Sequence, residues 1–220
     1  ERKDCAVGLL DEDHRILGQS NGIALFIGNL EAATEYTERV FGRDVWQPGD
    51  IWVVTDPYVV GTHLNDVTVY GPIFIDDELI GFGASRAHWL DMGSAAEGGG
   101  TNATQIYSEG LLITPIKVVE GGVERRDVSE LFAHNSRFPT MLLGDLGAQI
   151  ACMLTGQRRL EELARRFGVE TVRAARDEIF RQSETFERGV VREIPDGNYR
   201  ADGFMDSNGI GESSYSVDVQ

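Results

Sequence analysis

The chain has 220 residues, 41% hydrophobic and 25% charged, with 26 glycines; this is the composition of a folded globular protein with length for one substantial core or two small ones, and it excludes a disordered chain. The formal net charge is −16, which argues against the basic surface that nucleic acid requires. No apolar run approaches the ~20 residues that span a bilayer, so no membrane association is expected.

Cys5 to Leu10 and Arg15 to Gln19 predict two short strands, with Asp11-Glu12-Asp13-His14 as the turn and His14 in solvent at its tip. Apolar positions 30, 33, 36, 37 and 40 follow helical spacing, with Asn29 as N-cap and Gly42 as stop. Pro48-Gly49-Asp50 turns the chain into Ile51 to Thr55, an almost wholly apolar run expected as a strand buried on both faces. It ends at Asp56-Pro57, and residues 57–65 read as a loop containing Gly61.

Val67 to Ile75 and Leu79 to Ser85 flank the acidic turn Asp76-Asp77-Glu78 and predict a β-hairpin. Pairing of 67–75 with 79–87 brings positions near 66 and 88 together. Residues 92–104 are rich in glycine and small side chains, as in a flexible connector or a lid over a site. Neither a Walker loop nor a dinucleotide-binding glycine motif is present, so no nucleotide site is expected in this chain.

Leu111 to Val119 is a further strand candidate, bent at Pro115, followed by a turn at Glu120-Gly121-Gly122. Val128 to Phe132 reads as a helical turn capped by Asp127, with His134 in a structural connector. From Pro139 the period becomes helical, through Leu143, Leu146, Ile150, Met153, Leu160, Leu163 and Phe167. Gly168 ends that helix, and Thr171 caps a second with Val172, Ala175, Ile179 and Phe186 on one face. The short connection predicts an antiparallel pair. Strands are expected again at Tyr199 to Phe204 and Tyr215 to Val219.

The expected fold is therefore α+β: a mixed, mostly antiparallel sheet with a metal-bearing hairpin, then an antiparallel helix pair. Three regions follow: a β-rich metal-site region over 1–138, a helical hairpin over 139–190, and the start of a further β region over 191–220. Both ends read as cut, so a fragment of a larger subunit is expected. Cys5 and Cys152 match no zinc or redox spacing and read as reduced thiols of a cytoplasmic protein.

The chemistry concentrates between Asp56 and Asp91. Of four histidines, His63 and His88 flank the hairpin, each within three residues of an aspartate. Two imidazoles and the Asp66 carboxylate would leave coordination positions open on one ion, and the set suits zinc, manganese or ferrous iron. Asp56 and Asp91 are candidates for a general base or for acceptors of the imidazole N–H groups. The same residues are also compatible with two buried histidines bonded to aspartates in a scaffold without metal. A mononuclear iron oxygenase is a third reading, because it uses the same ligand types.

Several stretches resemble the hydantoinase B family. They are Glu1-Arg2-Lys3-Asp4, Asp13 to Leu17, Asp56-Pro57-Tyr58 with Gly61 to Asp66, Ser85 to Asp91, Glu109-Gly110-Leu111 and Gly144 to Gln149. The resemblance implies a longer subunit with a divalent metal, zinc or manganese, held by His63, Asp66 and His88. It also implies a hetero-oligomer in which a hydantoinase A-type partner binds ATP and phosphorylates the substrate carbonyl. The implied activity is opening of a cyclic amide such as a hydantoin, 5-oxoproline or a related lactam; the alternative is the α-type subunit of an acetone or acetophenone carboxylase. Val60 and Gln105 depart from the family's frequent glycine and acid, and residues 94–101 differ from the loop of hydrolase members. These departures leave the triad intact and bear on the substrate.

Overall fold

The predicted hairpin forms the centre of a seven-stranded sheet. The computed structural model describes residues 4–96, 103–206 and 215–219. In it β1 (Cys5–Leu10) and β2 (Ile16–Gln19) precede β3 (Ile51–Val54), β4 (Asp66–Ile75) and β5 (Glu78–His88). β6 (Ile116–Glu120) and β7 (Val123–Glu124) follow. The order across the sheet is β2-β1-β5-β4-β3-β6-β7, and each pairing is antiparallel. Asp76 and Asp77 make the β4–β5 turn with φ of 48° and 67°, the left-handed pair that a tight hairpin requires and that aspartate tolerates.

Strand alternation sorts the core onto two faces. Val53, Val67 and Val69 point to one side, where α4 (Arg126–His134) and α5 (Pro139–Phe167) cover them with Val128, Phe132, Leu142, Leu146 and Met153. Trp52, Val54, Tyr70, Phe82 and Ala84 point to the other, beneath α2 (Leu30–Phe41), which follows the short helix α1 (Ala24–Ile27). β3 is buried along its whole length because both faces are covered. α2 buries Leu30, Ala33, Thr34 and Thr37, one helical stripe, and Thr37 shares a 2.5 Å hydrogen bond with the Tyr70 hydroxyl.

α6 (Val169–Arg192) starts immediately after Gly168, whose φ of 88° turns the chain out of α5. The two helices meet at this corner: Leu160 and Ala164 pack with Val169 and Val172 against Ile73, Ile75 and Ile80. Residues 181–192 are exposed. β8 (Ala201–Met205) and β9 (Tyr215–Val219) form a separate two-stranded antiparallel sheet.

Several local expectations change. His14 is not a solvated tip: its side chain is 11% exposed and its ring stacks on Phe82 at 5.0 Å. Buried Asp11 gathers the Asp13 and Arg15 N–H groups and the Arg15 guanidinium, which holds this turn against the sheet. Asn29 stands at the N-cap position of α2 but makes no cap bond; its amide donates to the Leu25 carbonyl instead. Asp127 lies inside the first turn of α4, after Arg125, and Thr171 lies inside α6. The strand expected from Leu111 begins only at Ile116, because Ile113 pairs with Thr55 through both its backbone and the Thr55 hydroxyl. Of the glycine-rich stretch, residues 97–102 lie outside the described residues.

Candidate metal centre

The register of the central hairpin places Asp66 directly opposite His88. The third residue arrives from a segment expected as loop that contains one helical turn, α3 (Pro57–Val60). Pro57 occupies its first position, where no N–H is needed, and the Asp56 carboxylate accepts the Tyr58 N–H at 2.9 Å. Gly61 ends the turn at φ 73°, and a Cβ there would sit 2.7 Å from the Asn29 amide nitrogen. The left-handed conformation favours glycine here, and any larger residue would also have to displace the end of the Asn29 side chain.

Thr62 follows at φ 69°, a costly conformation for a β-branched residue. It turns the Thr62 hydroxyl and the His63 N–H together onto Asp66 Oδ2, the latter at 2.8 Å. His63 Nδ1 lies 3.0 Å from the same oxygen, and His88 Nδ1 lies 2.7 Å from Oδ1. One fully buried carboxylate therefore joins two imidazoles whose rings stand nearly perpendicular, 5.8 Å apart. Burial alone would raise the Asp66 pKa. Hydrogen bonds from His88, Thr62 and the His63 N–H, with the His63 charge, outweigh it and hold the group down to about 2. Asp66 is thus an anion throughout the neutral range.

Side-chain exposures of 73% for His63 and 32% for His88 give solvent access to the imidazoles over a buried base. Among the described residues, this is the only group of His, Cys, Asp or Glu side chains close enough to share an ion, with donor atoms within 4.8 Å. Bond lengths near 2.0–2.2 Å in a tetrahedral site set ligand atoms roughly 3.3 Å apart. The observed 2.7 and 3.0 Å contacts run to different oxygens of Asp66 and lie slightly inside that spacing, and one donor atom from each of the three residues lies within 4.8 Å of the others. The two-nitrogen, one-oxygen donor set also fits a catalytic rather than a closed structural site.

Beneath the triad lies Arg86, fully buried and two residues before His88 on the same strand face. Its Nε donates to the Thr68 hydroxyl at 2.8 Å and its Nη2 donates to the Val60 carbonyl. Its guanidinium lies 5.8 Å from the Phe26 ring centroid, and Nη1 has no hydrogen-bond partner among the described residues. Burial lowers its pKa to about 10 against the opposing pull of Asp66, so it stays protonated at neutral pH.

The two other predicted residues have different surroundings. Asp56 caps α3 through Oδ1. Asp91 is buried, with its oxygens on the Arg137 guanidinium at 2.7 Å, the Arg137 N–H at 2.6 Å and the Ser136 hydroxyl at 3.4 Å. Arg137 also holds the Ser94 carbonyl, so Asp91 ties the segment after β5 to the start of α5. Sequence reasoning missed Gln149, which is buried under the hairpin. Its amide donates to the Val67 and Ser85 carbonyls and its oxygen accepts the Trp89 indole N–H at 2.8 Å. Its place in the Gly144 to Gln149 stretch was the available signal.

A polar cleft of about 410 Å³, lined by Tyr58, Thr62, Thr104, Gln105 and Glu109 among others, contains no triad residue but meets the triad through Thr62, whose hydroxyl donates to Asp66. Its size suits a small ring. A second groove of about 440 Å³, between β1 and α5, is apolar and shares no residue with the triad. Among the described residues, no helix is long and apolar enough to cross a membrane.

Comparison with known proteins gives consistent matches. The family described as Hydantoinase B/oxoprolinase matches residues 1–220. The caprolactamase subunit beta of Pseudomonas jessenii is 32% identical over 99% of this chain and 37% of its own length. The crystal structure of that ATP-dependent caprolactamase superposes with a TM-score of 0.87 at 31% identity, over 99% of this chain and 38% of that one. A nucleotide-free acetone carboxylase structure superposes with a TM-score of 0.82 at 26% identity, over 93% of this chain and 27% of that one. The chain thus spans 27–38% of the length of these relatives.

Proposed function

Since the chain belongs to the hydantoinase B/oxoprolinase family, we propose that it is part of the metal-bearing subunit of an ATP-dependent cyclic amide hydrolase. The substrate is a hydantoin, 5-oxoproline or a related lactam, phosphorylated on its carbonyl oxygen by a hydantoinase A-type partner. The observation that carries this reading is the union of His63, Asp66 and His88 at the open end of the central hairpin. These residues would hold the divalent ion, zinc or manganese. When bound, such an ion supplies a Lewis acid and lowers the pKa of water.

The chain's own residues have separable tasks. Asp66 stays anionic and orients both imidazoles, while Thr62 and the His63 N–H fix its Oδ2. The cleft beside Thr62 receives the ring, with Tyr58, Thr104 and Gln105 as hydrogen-bonding groups. Asp56, with only Oδ1 bonded among the described residues, is the less encumbered of the two base candidates; Asp91 would first have to leave Arg137.

The ketone carboxylase reading is favoured by the acetone carboxylase superposition, but the caprolactamase match is higher in both identity and TM-score. Substrate-dependent ATP hydrolysis by the full-length subunit with its partner separates the two. Turnover with cyclic amides supports the hydrolase. Turnover with acetone or acetophenone plus bicarbonate, and none with cyclic amides, overturns it.

A further inference from the structure

The contacts of Arg86 coincide with the approaches to all three triad residues. Val60, whose carbonyl takes Nη2, lies three residues before His63; Thr68, whose hydroxyl takes Nε, lies two residues after Asp66; Arg86 itself lies two residues before His88. Thr68 and Arg86 are also register partners on adjacent strands. One planar group thus ties the end of α3 to both arms of the hairpin. Phe26, from the short helix Ala24–Ile27, closes over it.

A full charge at this depth is costly. Transfer of an ion into a protein interior costs several kcal/mol unless it is paired and fully hydrogen-bonded. Among the described residues Arg86 has no carboxylate within salt-bridge distance, the Asp66 charge offsets only part of its desolvation, and Nη1 has no hydrogen-bond partner. A neutral side chain of similar volume would fill the space at lower cost, so packing does not explain the choice of arginine. A rigid fork that reaches two acceptors on different elements does explain it.

We infer that Arg86 is a positioning residue for the metal centre: it fixes the approach of the His63 loop to the Asp66–His88 pair and so sets the geometry of the ligands. This inference rests on the reading of the triad as a metal site. Outer groups that orient ligands are worth about 10–100-fold in metal affinity, and that is the expected loss here.

The test is competition titration of Zn²⁺ and Mn²⁺ into the full-length subunit, with thermal unfolding of the metal-free protein as the second readout. Arg86→Met removes the fork and the buried charge; Thr68→Val removes one anchor at nearly constant volume. Arg86→Met should bind metal about 10–100-fold more weakly, with the metal-free melting point held near that of wild type. Arg86→Lys should recover part of the affinity. Thr68→Val should show a smaller loss, and it carries the test if Arg86→Met does not fold. Metal bound equally tightly by wild type and the folded variants would overturn the role of Arg86 and leave the site intact. Lower metal-free stability with unchanged affinity would make Arg86 structural only. A wild-type protein that takes up no metal would instead overturn the metal site itself.

Discussion

The two ends of the β4–β5 hairpin are built from the same strands in opposite ways. At the closed end, Ile73, Ile75 and Ile80 meet Leu160 and Ala164 in an apolar cluster, with the exposed Glu78–Arg173 ion pair beside it and Asp76 and Asp77 left-handed in the turn. At the open end, Asp66, Thr68 and Arg86 are buried and Thr62 holds a left-handed backbone. The closed end gains stability from apolar burial and keeps its charges in solvent, while the open end bears the cost of desolvated charge and of a β-branched residue at positive φ. The buried charge at the open end is the reason for proposing that end as the place of chemistry.

This contrast can be broken from either side. The largest expected effect is on activity: His88→Ala should reduce ATP-coupled ring opening by about 10³-fold or more, because a Lewis-acid site with two ligands fails. Its melting point should stay near that of wild type, as His88 is half-buried at the strand end. The complementary variant is Leu160→Ala at the closed end. It should destabilise the fold by about 2–4 kcal/mol in urea unfolding while leaving metal affinity unchanged. Loss of metal in that variant would mean that the two ends are coupled.

A smaller effect tests the bracket between sheet and α5. Gln149→Leu strands the Trp89 indole and the Val67 and Ser85 carbonyls, and should cost about 1–3 kcal/mol. Because Val67 and Trp89 adjoin Asp66 and His88, metal affinity should fall modestly as well. A stability loss without any change in affinity would show that α5 supports the sheet and not the site.

Much of this was legible in the sequence because the decisive features are local. The hairpin is written in two β-rich runs and an acidic turn, and pairing geometry then places 66 against 88. The helices follow from a 3.6-residue period and the glycine between them. What could not be read depends on partners far along the chain. Asp91 meets Arg137, 46 residues away, and His14 stacks on Phe82 of a different hairpin. Gln149 reaches carbonyls more than 60 residues away. No spacing rule encodes such contacts. The helical turn at Pro57 is different: Asp followed by Pro is a helix-start signature, present in the sequence and outweighed by reading the segment as a strand exit.

The central claim is that Asp66 joins two imidazoles into one metal centre. Elemental analysis of the purified full-length subunit, wild type beside Asp66→Asn, tests it most directly. The proposed metal centre predicts about one divalent metal ion per wild-type chain and a loss of most of it in the variant, as expected when a ligand charge is removed. The same metal content in both proteins, or none in either, would contradict it.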